Sequence, residues 1–255
     1  MTGRLEGRVA IITGGGHGIG RAYALGMAKE GAKIVIAEID AIAAEEVAAG
    51  LRRDGYEAIA VRTDVGDRAS VESMAKRAVE AFGQIDILVN NAAIFATVPM
   101  SRSPFDEIGI DEWDRMMRVN LRGTWLASRA VVEHMRKRSY GKIINISSGT
   151  ALKGSANRIH YVTSKAGVLG FTRTLAMELG KDGIRVNCIA PGSTLSEEDP
   201  DEKTVAMRER AAGERALRRV QKPEDLVGAV VFFASADSDF ITGQTLVVDG
   251  GACLH

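Results

Sequence analysis

The sequence has only two cysteines, Cys188 and Cys253, in 255 residues. That excludes a disulfide framework and fits a reducing compartment. Cys188 lies in the apolar segment Val186 to Ala190, so it reads as core rather than as a nucleophile. Proline is scarce, at five residues, and no Pro- or Ser-rich linker or internal period divides the chain. One domain spanning residues 1–255 is expected. An excess of one charge is missing as well. Lysine plus arginine and aspartate plus glutamate both total 33, which leaves no net field directed at nucleic acid or an anionic membrane. No apolar run approaches the ~20 residues that cross a bilayer. The opening MTGRLEGRVAIITGG lacks the layout of a signal peptide. Together these absences predict a soluble, cytoplasmic protein. Metal-ligand spacing is absent too: His17, His134, His160 and His255 are scattered, with no carboxylate partner pattern, and no metal is expected.

What is present is a regular alternation. Strands are expected at Val9–Thr13, Lys33–Glu38, Ala58–Thr63, Ile85–Asn90, Lys142–Ser147, Arg185–Ala190 and Thr245–Val248. Helical periodicity lies between them, at roughly Gly18–Glu30, Ala41–Arg53, Arg68–Phe82, Glu112–Arg138, His160–Lys181 and Pro223–Ala234. Several strands are near-continuous apolar runs (VAIIT, KIVIA, IDILV, KIINI), as strands buried on both faces must be. The pattern predicts an α/β fold: a Rossmann-type, doubly wound parallel sheet of about seven strands, with helices on both faces. Residues 192–222 break the rhythm with an acidic patch, SEEDPDEK, and a charged helical stretch. A loop of that length after a strand's carboxyl end is expected to serve the ligand site.

The first strand runs into TGGGHGIG, residues 13–20, and then a helix. This loop fails G-x-G-x-x-G in every register. It nearly mimics a P-loop, but Arg21 and Ala22 stand where lysine and a hydroxyl are needed, so nucleotide hydrolysis loses its support. What remains, with Gly14, Gly16, Gly18 and Gly20 around His17 and Ile19, lets backbone and helix terminus approach a pyrophosphate. Glu38 ends the second strand eighteen residues after Gly20. A carboxylate there accepts adenosine ribose hydroxyls and repels a 2′-phosphate. No arginine or lysine follows in EIDAIAA, so NAD is favoured over NADP.

YVTSK, residues 161–165, sets Tyr161 and Lys165 one helical turn apart. So short a pattern matches an ordinary tyrosine near a solvated lysine more often than an acid–base pair. The helix argues otherwise. Tyr161 and Lys165 share a stripe with Val168, Thr172, Leu175, Ala176 and Leu179, where a freely solvated lysine is out of place. The opposite face, with Thr163, Ala166, Gly170, Thr174 and Met177, is also nearly uncharged, which points to burial on both sides. Asn120 lies on another mostly apolar stripe, where its amide needs partners for either a structural or a functional reason.

Taken together these motifs resemble the classical short-chain dehydrogenase/reductase family, from about Arg4 to Gly251. TGGGHGIG is similar to that family's TGxxxGIG loop, and Asp64-Val65 to its adenine-holding pair. Residues 90–93, NNAA, resemble NNAG, with Asn91 kept and Ala93 in place of glycine. Asn120 matches the family's helix asparagine. Ser148 precedes Tyr161 by the family's usual thirteen residues, and Tyr161 and Lys165 match YxxxK. Pro191-Gly192 resembles the PG motif, with Thr194 at the nicotinamide amide and Ser196 replacing a threonine. The resemblance implies four catalytic residues: Tyr161 as general base, Ser148 donating to the substrate oxygen, Lys165 lowering the Tyr161 pKa, and Asn120 holding a relay water. It also implies a helix-to-helix homodimer, paired again into a homotetramer.

The resulting expectation is an NAD-dependent oxidoreductase that interconverts a secondary alcohol and its ketone. Ile94–Pro99, Gly149–Asn157 and Thr194 onward are the expected pocket walls, and their apolar residues favour an apolar or cyclic substrate. Lys153 and Arg158 could meet an anionic group or simply be solvated. Two rivals stay open: an NADPH-dependent 3-oxoacyl-type carbonyl reductase, and a cofactor-sensing binding protein without turnover.

Overall fold

The computed structural model describes residues 3–95, 98 and 100–254. Of the expected features, His255 and residues 96, 97 and 99 of the first pocket wall lie outside the described residues. Seven parallel strands form one sheet: β1 (Val9–Thr13), β2 (Lys33–Glu38), β3 (Ala58–Arg62), β4 (Ile87–Asn90), β5 (Gly141–Ile146), β6 (Ile184–Pro191) and β7 (Thr245–Val248). Their order is β3-β2-β1-β4-β5-β6-β7. The chain winds outward one way from β1 and the other way from β4. Connections above these two strands leave in opposite directions and open a crevice at the carboxyl edge.

Successive strand residues feed two cores, because side chains alternate across a sheet. Ala10, Ile12, Ile34 and Ile36 pack on one face against helices α1 (Gly18–Lys29) and α2 (Ala41–Arg53). Val9, Ile11 and Val35 pack on the other against α3 (Arg68–Phe82). The latter core also takes Ala127 and Val131 from a later helix, and Ala176 and Leu179 from a third.

That later helix departs from expectation. The segment read as one helix, Glu112–Arg138, is α4 (Ile110–Met117), a five-residue π-helical turn (Arg118–Arg122) and α5 (Gly123–Arg136). Asn120 sits in the π turn, and its Oδ1 accepts a 2.8 Å bond from the Ile94 amide, which a regular periodicity cannot foretell. A short helix, α6 (Thr150–Lys153), follows β5 and precedes α7 (Ile159–Leu179). Within residues 192–222 lies α8 (Glu202–Gly213), and a bridge between Thr194 and Gln221 pins the ends of this excursion together. The expected β4 start at Ile85 shifts to Ile87, and the Asp86 carboxylate accepts from the Val9 amide at 2.9 Å.

Helix α9 (Val227–Ala234) crosses α1 at Gly26, where a Cβ would overlap Val227 Cγ1. Gly26→Ala should therefore destabilise the fold by about 1–3 kcal/mol through overpacking. Adding Val227→Ala should recover part of that loss in denaturant titrations. Additive losses in the double variant would rule out the close approach as the cause.

Candidate active site

A cleft of about 620 Å³ runs along the carboxyl edge of the sheet. Nearly every residue singled out from sequence lines it: Gly14, His17, Gly18, Ile19, Gly20, Glu38, Asp64, Val65, Asn91, Ser148, Tyr161, Lys165, Pro191, Gly192 and Thr194. Gly16 and Asn120 do not. Both stand one layer behind it.

At one end, hydrogen bonds hold the glycine loop. The Thr13 hydroxyl donates to the Val89 carbonyl at 3.2 Å and accepts from the amides of Asn91 and Ala92 at 3.0 and 3.1 Å. Asn91 Nδ2 donates to the carbonyls of Thr13 and Gly14 at 3.0 and 2.9 Å. A Cβ on Gly20 would collide with the Gly14 carbonyl oxygen, so only glycine permits this packing. Asn91, expected as a cofactor contact, is thus also the strut of the loop.

The amino terminus of α1 fits a pyrophosphate. Helices α2, α3 and α8 are capped by Asp40, Asp67 and Asp201. Helix α1 has no side-chain cap and no acidic residue in its first turn. Its orphan amides and dipole therefore face the cleft without a side-chain cap. Glu38 is buried, with Oε2 accepting from the Gly16 amide at 3.2 Å and Oε1 from the Ile39 amide at 2.8 Å. His17 stands 4.0 Å from both Asp40 and Glu198. Asp64 accepts from the Gly66 amide at 2.8 Å and lies 3.7 Å from Arg118. These residues fit the adenosine diphosphate half of a dinucleotide.

At the other end, α7 presents Tyr161 and Lys165, with 6% and 4% of their surfaces exposed. Lys165 is held rather than solvated. Its Nζ donates to the Ile146 carbonyl at 2.8 Å and lies 6.0 Å from the Tyr161 ring centroid. The Ser147 hydroxyl ties the Lys165 carbonyl at 2.7 Å, fixing α7 to the end of β5. Ser148 Oγ accepts from the Thr150 amide and hydroxyl at 3.2 and 2.9 Å, which leaves its own hydrogen to face Tyr161. Asn120 Nδ2 donates to Ser164 Oγ at 3.2 Å, and Ser164 donates to the Tyr161 carbonyl at 2.7 Å. The asparagine thereby clasps the Ile94 wall to the tyrosine helix.

Two expectations need correction. Tyr161 was expected below the ordinary phenol value, yet burial pushes it above; the Ser148 hydrogen bond and the Arg158 and Arg208 charges offset part of this. Burial also pushes the Lys165 ammonium down to about 8, and its Nζ turns to the Ile146 carbonyl, 6.0 Å from the Tyr161 ring centroid. Two of the four histidines, moreover, do have carboxylate partners. His160 Nε2 lies 3.3 Å from Glu112, 48 residues away in sequence, and His17 faces Asp40 and Glu198. Sequence separation hid these pairs. Among the described residues, no cluster of His, Cys, Asp or Glu is arranged to hold a metal ion, and no helix is long and apolar enough to cross a membrane.

Arg102 and Arg208 also line the cleft and were missed. Helix α8 reads as a charged, solvated stretch, but Arg208 and Arg215 are each 4% exposed and Ala212 is buried with them. Positions 208, 212 and 215 share one face, and that stripe is the signal that could have marked them.

A family model described as Enoyl-(Acyl carrier protein) reductase matches residues 14–253. A hydroxy(phenyl)methylsuccinyl-CoA dehydrogenase subunit of Thauera aromatica is 38% identical over 253 residues, covering 98% of each chain. A 3-oxoacyl-acyl-carrier-protein reductase of Thermotoga maritima is 36% identical, over 98% of this chain and 100% of its own. Among solved structures, a 3-ketoacyl-acyl-carrier-protein reductase from Brucella melitensis, complexed with NADH, superposes with a TM-score of 0.89 at 33% identity. That alignment covers 98% of this chain and 100% of the other. Likeness that spans both chains, and not the glycine-loop half alone, makes this protein a member of the short-chain dehydrogenase/reductase family of oxidoreductases.

Proposed function

We propose that this oxidoreductase uses NAD to interconvert a secondary alcohol and its ketone, with Tyr161 taking and returning the hydroxyl proton. One observation carries the reading: a single cleft joins an uncapped helix terminus and Glu38 at one end to Ser148, Tyr161 and Lys165 at the other. Gly14, Gly18, Ile19 and Gly20 would hold the pyrophosphate, Glu38 the adenosine ribose, Asp64 and Val65 the adenine, and Pro191, Gly192 and Thr194 the nicotinamide side. When bound, the nicotinamide supplies the acceptor or donor of hydride.

This chain's residues then manage the proton. Ser148 turns its hydroxyl hydrogen from Tyr161 to the substrate oxygen and steadies the charge developing there. Tyr161 Oη accepts the alcohol proton during oxidation and gives it back during reduction. Lys165 has two N–H groups beyond the one on Ile146, enough for ribose hydroxyls. Asn120 positions Tyr161 through Ser164. The acids around His17 support NAD over NADP, since a 2′-phosphate would meet Glu38, Asp40 and Glu198. Two free thiols fit a reducing, cytoplasmic setting.

Reduction of a 3-oxoacyl thioester is the second reading, favoured by the Thermotoga and Brucella relatives. The NADH in the Brucella structure means that cofactor preference alone does not separate the two. A 3-oxobutanoyl thioester assayed beside simple ketones does.

The outward face of α7, with Thr163, Ala166, Gly170, Thr174 and Met177, is exposed in the single chain and supports a helix-to-helix dimer within a tetramer. A side chain on Gly170 would meet nothing within 4 Å in the lone chain. Gly170→Arg should therefore fold normally and sediment as a smaller species; an unchanged sedimentation coefficient would remove this face from the assembly.

Tyr161→Phe should lower turnover of secondary alcohols by about 10²–10⁴-fold while NAD affinity holds. Because burial raises the Tyr161 pKa, oxidation by the wild type should climb with pH through the alkaline range. Comparable rates for Tyr161→Phe and wild type would end the proposed role, and faster turnover with NADP than with NAD would end the cofactor assignment.

Lys165 gives a stability test. Its folded pKa of about 8 lies below the ordinary 10.5, so between those values the folded chain binds fewer protons than the unfolded one. The wild type should gain stability as pH rises through that window, and Lys165→Met should not. Denaturant titrations at pH ~7.5 and ~10 should show the balance moving toward wild type by about 2 kcal/mol. A constant difference would mean that Lys165 is charged throughout.

A further inference from the structure

The Tyr161 end of the cleft carries positive charge that the proton chemistry does not use. Arg102, Arg158 and Arg208 all line it. Arg208 reaches in from α8, its guanidinium 5.9 Å from the Phe95 ring centroid, and Phe95 stacks 5.1 Å from Tyr161. Its Nη groups meet Glu197 and Ser193, but its buried Nε has no partner. Arg102 leans on Met207, the neighbour of Arg208, with Nη1 3.3 Å from the sulfur. Arg158 precedes Tyr161 by three residues and donates from Nε to the Ser155 hydroxyl at 3.1 Å.

The charges do not balance. Among the described residues, Glu197 is the one carboxylate ion-paired with any of these three guanidiniums. Burial, with the charges of Arg102 and Arg208 beside it, holds Arg158 below its ordinary value. Arg208 is buried and Arg158 half-buried, while Arg102 is exposed; the first two gain most from an anion that arrives with the ligand. Lys153 is exposed at the rim and adds little. Between the arginines and Tyr161 the wall is apolar, formed by Ile94, Phe95 and Val98 packed with Met116.

We infer that the substrate is a carboxylate-bearing secondary alcohol or its keto acid, with the carboxylate held by Arg158 and Arg208. The apolar body lies against Ile94 and Phe95, and the carbinol oxygen lies at Ser148 and Tyr161. Planar carboxylate suits paired guanidinium N–H donors, and the surplus charge is met in part by one monoanion. This inference rests on the proposed dehydrogenase reading for the placement of the carbinol, but its test needs no turnover.

Calorimetric titration of the full-length protein, saturated with NAD, with benzoate, benzamide and phenyl phosphate tests the subsite. Benzoate should bind at least about ten-fold more tightly than benzamide, the usual worth of a charge-assisted contact. Arg158→Gln should erase that preference and leave NAD affinity, titrated separately, unchanged. Arg208→Gln should do the same if it folds; should it not, Arg158→Gln decides alone. Equal binding of benzoate and benzamide, binding of neither, or a preference that survives Arg158→Gln would each overturn the subsite. Tighter binding of phenyl phosphate would overturn the carboxylate assignment. Failure of NAD to bind, or full turnover by Tyr161→Phe, would instead count against the dehydrogenase reading.

Discussion

The site depends on how the crossing between β1 and β4 is tied. Neighbouring parallel strands whose connections leave in opposite directions open a gap, and an open gap would expose backbone groups of both strand ends. Thr13 and Asn91 close the accounts there. One hydroxyl serves the carbonyl of Val89 and the amides of Asn91 and Ala92, while the Asn91 amide serves the carbonyls of Thr13 and Gly14. With these groups satisfied, the loop turns into α1 at a fixed angle, and the helix terminus meets the cleft. The residues after β6 then fold back over the loop, where Arg21 and Glu198 pair at 2.9 Å.

A second set of polar groups carries the geometry to the opposite end. Asn90 Nδ2 donates to Ser128 on α5 at 3.0 Å and to Asn145 on β5 at 2.8 Å, and Asn145 donates to Thr172 on α7 at 2.9 Å. All four residues are buried among apolar neighbours. Such a network strongly favours one register of helix against sheet, because a slip would strand several amides without partners. Tyr161 and Lys165 inherit that register, since they occupy the same helix as Thr172. Precision at the reacting end therefore comes from hydrogen bonds in the body of the fold.

Much of this was readable in the sequence, for a definite reason. Strands such as VAIIT and KIVIA are buried on both faces, so composition alone marks them, and β1, β2 and β7 run between the expected residues. The glycine loop, Glu38 and the tyrosine–lysine spacing are local patterns, and local patterns survive in one dimension. The π turn at Asn120 was not readable from a regular period, and neither was the asparagine's partner, Ile94, 26 residues away. The same holds for Glu112 with His160, and for Arg208, whose burial depends on where α8 lands across the cleft. The direction of the Tyr161 shift was misjudged on similar grounds. Spacing placed a lysine one turn away, but not the Ile146 carbonyl toward which that lysine turns.

The burial that shapes the site also sets its proton balance. Desolvation drives Tyr161 and Lys165 toward their neutral forms from opposite directions. Of the groups that favour the Tyr161 anion, Ser148 acts by hydrogen bonding and Arg158 and Arg208 by charge. These are the arginines inferred to hold the substrate carboxylate. A carboxylate seated between them cancels part of the field that favours the phenolate, so the anion that anchors the substrate also makes its base harder to ionise. An enzyme arranged this way binds an acid firmly and oxidises it at higher pH than it would a neutral alcohol of the same shape. On the inferred subsite, the arginine cluster would move oxidation of a hydroxy acid further into the alkaline range than that of a neutral alcohol.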